Sequence, residues 1–285
     1  MKNILVTGSE GFIGKHLVNK LKEHFNVFEC DIKNNDIPFG SLSINYLIDC
    51  NIDTVFHLAA LTNVQESIEY PDKYFMTNVS DTLKFMKVCA NYRGIKKFVF
   101  TSSAACYGSN SNAVESSSNC YPLSPYAADK LAIENYLRAF FESYGLHYMA
   151  LRLFNVYGPY SSTKGIIPKI VDCIENDKVL YLNNLGESIR DFIHVDDVVQ
   201  SLINAGQSKW SNFVVNVGTG QGTSIIDLEK LLEGILQKQV IIRFKKNKVN
   251  EVSSSIADTT LAKTIDVHCY ETKLEDGLRA YLSQR

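Results

Sequence analysis

Tyr126 and Lys130 stand four residues apart in Ser124-Pro-Tyr-Ala-Ala-Asp-Lys130, and on a helix that spacing puts a phenol and an ammonium on one face. A phenol with a reference pKa of about 10 needs about 4 kcal/mol of preference for its anion to ionise near neutrality. A unit charge about 4 Å away, at an effective dielectric of about 20, contributes about 4 kcal/mol before desolvation. Lys130 together with an oxidised nicotinamide would therefore make Tyr126 a base. Tyr-x-x-x-Lys by itself is common by chance. A third group stands in Phe98-Val-Phe-Thr-Ser-Ser-Ala-Ala-Cys-Tyr-Gly108, where an apolar strand ends in hydroxyls and Ser103 could share a substrate proton. Alone, a serine at a strand end reads as a turn residue; upstream of Tyr126 it reads as its partner.

The elements that must position these groups begin at the N-terminus. Lys2 to Thr7 reads as a buried strand, followed by Gly8-Ser-Glu-Gly11-Phe12-Ile13-Gly14 and an apolar-periodic helix from Phe12 to Leu21. Gly8 permits the tight turn, Gly11 lets a pyrophosphate approach the helix N-terminus, and Gly14 lets helix and strand pack closely. Asp31 follows a second strand, Asn26 to Cys30, where a carboxylate accepts hydrogen bonds from an adenosine ribose and repels the extra phosphate of NADP. The predicted cofactor is NAD. An ordinary turn role for Asp31 is the bland alternative, and Lys33 leaves NADP a route.

Strands near 2–7, 26–30, 53–58, 96–101 and 147–153 alternate with helices near 12–24, 72–92 and 126–144, which predicts an α/β fold with a doubly wound parallel sheet. Ligands bind such sheets at the carboxyl ends of the strands, where Gly8, Asp31, Ala59 and Ser103 all fall. After Pro159 the pattern is less regular, with a helix near 166–176 and a strand near 178–182. The predicted division is a dinucleotide-binding domain over 1–160, with 190–217 returning to it, and a smaller substrate-binding lobe within 161–285. The Ser/Asn-rich loop 109–119 is expected at the rim of the site.

With 285 residues, 45% of them hydrophobic, the chain can bury a sizeable core. A net charge of −2 gives no reason to expect nucleic acid, and the Lys245-Lys246-x-Lys248 cluster reads as a solvated loop or a phosphate contact. Seven cysteines without a C-x-x-C pair suit reduced thiols in a cytoplasmic protein, and no apolar run approaches the roughly 18 residues of a membrane span. The scattered histidines, His57, His147 and His194 among them, lack metal-ligand spacing, so no metal is predicted; His57 reads as a core residue. No G-x-S-x-G elbow supports a serine hydrolase.

Seven stretches in order carry a family resemblance: Thr7-Gly-x-x-Gly-Phe-Ile-Gly14, Phe56-His-Leu-Ala-Ala60, Thr101 to Gly108, Ser124-Pro-Tyr-x-x-x-Lys130, Leu151-Arg-Leu-Phe-Asn-Val-Tyr-Gly-Pro159, Arg190-Asp-Phe-Ile-His-Val-Asp-Asp197 and Asn216-Val-Gly-x-Gly220. Together they make the chain similar to the nucleotide-sugar epimerases and dehydratases of the extended short-chain dehydrogenase/reductase family, typified by UDP-galactose 4-epimerase. The resemblance implies that Ser103 and Tyr126 touch the reacting sugar hydroxyl and that Lys130 also holds the nicotinamide ribose. It places NAD against Gly8, Gly11, Phe12, Ile13, Gly14, Asp31, Leu42, Leu58, Ala59 and Ala60. Asn155, Arg190 and Lys248 would hold the diphosphate of a nucleotide sugar, Ser255 would limit the sugar pocket, and the helices near 72–92 and 126–144 would pair in a homodimer.

The 4,6-dehydratases of the family carry an Asp-Glu pair where this chain has Ala104 and Ala105, so elimination lacks its proton handlers. What remains is oxidation at one sugar carbon. A 4-epimerase is the leading reading, a 4-ketoreductase or dehydrogenase the second, and a non-catalytic dinucleotide-binding protein the remote third. Two departures bear on the ligands. Gly40-Ser41-Leu42 lacks the adenine-contacting Asp of relatives, and Lys248 stands where relatives place an Arg, keeping charge but losing the bidentate fork. A small Ser255 predicts room for a 2-acetamido group, against the alternative that it is a loop residue displaced from the gate by a register shift.

Overall fold

A computed structural model describes residues 1–34, 38–110, 113–115, 119–161, 165–245 and 252–284. Its frame is a six-stranded parallel sheet in the order β2-β1-β3-β4-β5-β10. The strands are β1 (Asn3–Thr7), β2 (Asn26–Cys30), β3 (Thr54–His57), β4 (Lys97–Ser103), β5 (Tyr148–Leu153) and β10 (Phe213–Val217). The central strands are apolar runs because helices cover both faces; β3 and β5 are buried at every position. One face packs Ile4, Val6, Leu17, Phe56 and Leu202 together, and the other packs Leu5, Val55, Phe85, Phe98 and Ile133. From β1 the chain steps outward to β2 at one edge, then crosses back over β1 to β3 and continues in that opposite direction through β4 and β5, so a crevice opens at the carboxyl end of β1.

The helix read over 72–92 is interrupted. It is α4 (Pro71–Phe75), a π-helical turn over Met76–Asp81, and α5 (Thr82–Tyr92). The π turn sits against the site, as such turns often do: Thr77 lines the crevice, and the buried Asn78 amide bonds both the N–H and the C=O of Leu61, at 2.8 Å and 3.0 Å. The next long helix, α6 (Pro125–Tyr144), is capped by Ser124, whose hydroxyl accepts from Ala127 N, and ends at Gly145 with φ +73°.

Beyond the large sheet lie short strands. β6 (Asn155–Tyr157) pairs with β9 (Phe192–His194), and β8 (Ile189–Arg190) lies between β11 (Thr223–Ser224) and β13 (Ser254–Ser255). A separate apolar cluster of Ile167, Ile170, Leu180, Leu228, Leu232 and Leu278 forms the core of the lobe. After these short strands the chain adds β10 to the edge of the large sheet, beside β5. Ala262, Ile265 and Val267, inside the stretch read as lobe, also pack into the core of the large sheet. Among the described residues, no helix is long and apolar enough to cross a membrane.

Candidate active site

The turn after β1 is built for an anion. Gly8 has φ +74°, and a Cβ there would lie 2.7 Å from the Ala59 amide nitrogen; at Gly14 a Cβ would drive into the Gly8 carbonyl oxygen. Glycine alone lets strand, turn and helix approach this closely. The following helix, α1 (Phe12–Lys22), begins at Gly11 with no side-chain cap and no acid in its first turn. Its leading N–H groups have no partner within the helix, and Gly11, Phe12, Ile13 and Gly14 line the crevice. A pyrophosphate fits this arrangement.

Asp31 stands at the end of β2 in the same cavity, its two carboxylate oxygens accepting from Glu10 N and Lys33 N at 3.0 Å each. These bonds hold the carboxylate in place and leave lone pairs for a ribose. The cavity, about 560 Å³, runs on past Leu58, Ala59 and Ala60 to Thr101, Ser102, Ser103, Tyr126 and Lys130. The residues present thus fit a dinucleotide along its whole length. Leu42 lies apart: it is buried in the core beneath, and Phe39 lines the cavity instead.

Ser103, Tyr126 and Lys130 all line this cavity. Ser103 Oγ accepts from Ala105 N at 3.2 Å, and its hydroxyl lies on the Tyr126 side of the cavity. Lys130 Nζ donates to the Thr101 carbonyl at 2.7 Å and lies 6.0 Å from the centre of the Tyr126 ring. Burial pulls the Lys130 ammonium down to about 8. Burial also pushes the Tyr126 phenol up to about 12, with the Ser103 hydroxyl opposing the rise. Ionisation near neutrality therefore needs more support than a solvated phenol would, and the charges of Lys130 and an oxidised nicotinamide both act in that direction.

The residues assigned to the substrate lie next to this cavity rather than in it. Arg190 and Ser255 are register partners in neighbouring strands, and Asn155 N donates to the Asp191 carbonyl at 3.0 Å. Arg190 Nη1 donates to its neighbour's carbonyl, Ile189 O, at 2.8 Å. Lys248 lies outside the described residues. The rim loop meets the site through Ala113, which packs with Tyr107, Phe154 and Ala257. His57 is a core residue: its ring nitrogens meet the Thr7 and Thr82 hydroxyls at 2.7 Å and 3.0 Å, inside a cluster of Phe39, Phe85, Phe98 and Phe100.

A glycine cradle, a ribose-facing acid and a Ser-Tyr-Lys constellation in one cavity agree with the family model that matches residues 4–218, described as the NAD dependent epimerase/dehydratase family. The chain belongs to that family. Its members use NAD, which the cavity accommodates. The chain is 31% identical over 307 residues to a UDP-glucose 4-epimerase of Halalkalibacterium halodurans, covering 92% of this chain and 89% of that protein. It is 29% identical to a dTDP-D-glucose 4,6-dehydratase of Dictyostelium discoideum, covering 82% of this chain but only 62% of that longer protein. A solved structure, UDP-N-acetylglucosamine 4-epimerase from Methanobrevibacter ruminantium M1 in complex with UDP-N-acetylmuramic acid, superposes with a TM-score of 0.92 at 33% identity. That match covers 99% of this chain and 97% of the other.

Four residues of this family member escaped the sequence reading. Asn78 holds Leu61 through the π turn. Asp191, fully buried, accepts from Thr219 N, Thr219 Oγ1, Gly220 N and Ala257 N, which ties Arg190 to the segment after Ser255. Glu134 and Arg152 form a buried ion pair at 2.6 Å behind the strand end that carries Ser102 and Ser103. An arginine within the apolar run of β5 was a visible signal for that pair, since charge inside a covered strand requires a partner.

Proposed function

We propose that this protein is a nucleotide-sugar 4-epimerase that works through a transient 4-keto sugar, with Tyr126 as base. The observation that carries this reading is the proton inventory of the cavity. Among the described residues that line it, the only carboxylate is Asp31, next to the glycine turn and away from Tyr126. Elimination of water across neighbouring sugar carbons needs an acid and a base besides the tyrosine, and Ala104 and Ala105 supply neither. Oxidation and re-reduction at one carbon needs only a single group that takes and returns one proton.

NAD, when bound, accepts the hydride from that carbon and returns it. Tyr126, ionised under the combined influence of Lys130 and the nicotinamide charge, takes the proton of the 4-hydroxyl. Ser103, which lines the same cavity, offers its own proton to the same oxygen and so stabilises the developing carbonyl. Lys130, held by the Thr101 carbonyl, keeps a positive charge beside the phenolate. Arg190, Asn155 and Lys248 grip the diphosphate, leaving the sugar free to present either face to the cofactor. The similarity to enzymes named UDP-glucose and UDP-N-acetylglucosamine 4-epimerases supports this reading. A panel of UDP- and dTDP-hexoses with and without a 2-acetamido group, followed by NMR of the product, tests it: a C4 epimer is the expected product, and a 6-deoxy-4-keto sugar would refute it.

The working unit we propose is a homodimer paired through α4, α5 and α6. Phe75 and Met76 are 52% and 51% exposed there, and Tyr136 of α6 is 43% exposed, apolar surface of a kind that marks interaction sites.

A further inference from the structure

Two consecutive residues at the end of β4 are each held by one residue of α6, and a third faces the same cavity as the phenol. The Thr101 carbonyl accepts from Lys130 Nζ at 2.7 Å, the Ser102 hydroxyl donates to Glu134 Oε1 at 2.5 Å, and Ser103, next along the strand, lines the cavity with Tyr126. Tyr126, Lys130 and Glu134 thus make one helical face against one strand end. Glu134 is held in turn by Arg152, whose Nε donates to Oε1 at 2.9 Å and whose Nη2 donates to Oε2 at 2.6 Å. Arg152 stands opposite Ser102 in the β4–β5 register and is 1% exposed, and its Nη1 has no hydrogen-bond partner among the described residues.

Stability alone does not account for this pair. Desolvating two charges is costly, an apolar pair of similar volume is often as stable or more so, and here one N–H remains unsatisfied as well. What the pair supplies is a fixed separation of β4 and α6 two turns from the phenol, because the bidentate geometry tolerates little movement. Neither Glu134 nor Arg152 lines the cavity.

Resting on the reading of the site given above, we infer that Glu134, with Arg152 as its counter-charge, is a positioning residue that sets the reach between Ser103 and Tyr126. It acts through Ser102. Misplacement of reacting groups by about 1 Å can lower a rate on the order of 10²-fold, and Ser103 is adjacent to the residue that Glu134 pins. The same arginine continues outward: its guanidinium lies 4.7 Å from the centre of the Tyr107 ring, and Tyr107 OH donates to Asn216 Oδ1 at 2.7 Å. Asn216 N in turn donates to Glu115 of the rim loop at 2.9 Å.

The test uses Ser102→Ala, which breaks the contact but keeps the ion pair, and Glu134→Leu with Arg152→Met, which replaces the pair by apolar groups so that folding is retained. Full-length proteins carrying ¹³C-tyrosine are loaded with NAD, and Tyr126, identified by its loss in Tyr126→Phe, is titrated by NMR. Displacement of the Ser103 hydroxyl from the phenol should raise its titration midpoint by about half a pH unit or more in both proteins. Turnover per folded site should fall by about tenfold or more while KM changes less than about threefold. Adding Ser102→Ala to Glu134→Gln should lower turnover no further, since both act through one contact. A Tyr126 titration indistinguishable from wild type in both proteins, or effects of Ser102→Ala and Glu134→Gln that multiply, would overturn the inference. If the wild type converts no nucleotide sugar, the functional reading fails by itself, and the phenol titration still decides the positioning role.

Discussion

In the proposed mechanism the chemistry depends on Tyr126, whose pKa burial raises. Removing its hydroxyl isolates that role. Tyr126→Phe should fold and bind NAD as the wild type does while turnover falls on the order of 10² or more; turnover at the wild-type level would remove Tyr126 from the mechanism. Asp31 makes a second prediction at this scale. Its carboxylate, oriented by two backbone N–H groups, should give NAD the lower Kd by repelling the 2′-phosphate of NADP, and Asp31→Ser should narrow the gap; tighter binding of NADP by the wild type would contradict this. Ser255, paired with Arg190 across β8 and β13, is the third. Replacing it by tyrosine should cut kcat/KM for a 2-acetamido sugar far more than for the plain hexose, because an added ring overpacks the wall that faces the acetamido group. Equal losses for both sugars would show that Ser255 is not the gate.

At the scale of elements, the strand ends and helices around the cavity were legible because their signals are local. Apolar runs bounded by Gly8, Asp31 and the Ser102-Ser103 pair mark strands that stop at a crevice, and four-residue spacing brings Tyr126 to Lys130. The π turn over Met76–Asp81 was not legible, because one extra residue per turn leaves the apolar pattern of 72–92 intact. Glu134 was hidden for another reason: a glutamate in a helical pattern reads as a solvated residue until the register places Arg152 beside it. The short strands β6, β8, β9, β11 and β13 have two or three residues each, too few to show a period.

His57 gives this scale a pH prediction. Burial, helped by the Lys130 charge, lowers it to about 3, so between that value and 6.5 the unfolded chain binds a proton that the native state refuses. The stability it contributes is complete above pH 6.5 and is lost as the pH falls. Between pH 6.5 and 4.5 the wild type should lose about 2 kcal/mol more than His57→Leu in denaturant titrations; parallel pH profiles would show that His57 titrates normally.

For the whole molecule, the large sheet holds the cofactor and the short strands hold the candidate diphosphate contacts, joined through Asp191, which ties the loop after β10 to the segment after β13. Light scattering should give the mass of two chains, and Phe75→Glu with Met76→Glu should give one; a wild-type monomer would remove α4 to α6 as an interface. The central claim, however, concerns redox balance. An epimerase returns to the substrate what it removes, so the same NAD serves every cycle. Purified protein holding NAD should therefore equilibrate a nucleotide sugar with its C4 epimer, seen by NMR, with no net change in reduced-nicotinamide absorbance. Stoichiometric appearance or consumption of free NADH, with one product accumulating, would contradict the account and identify a dehydrogenase or ketoreductase.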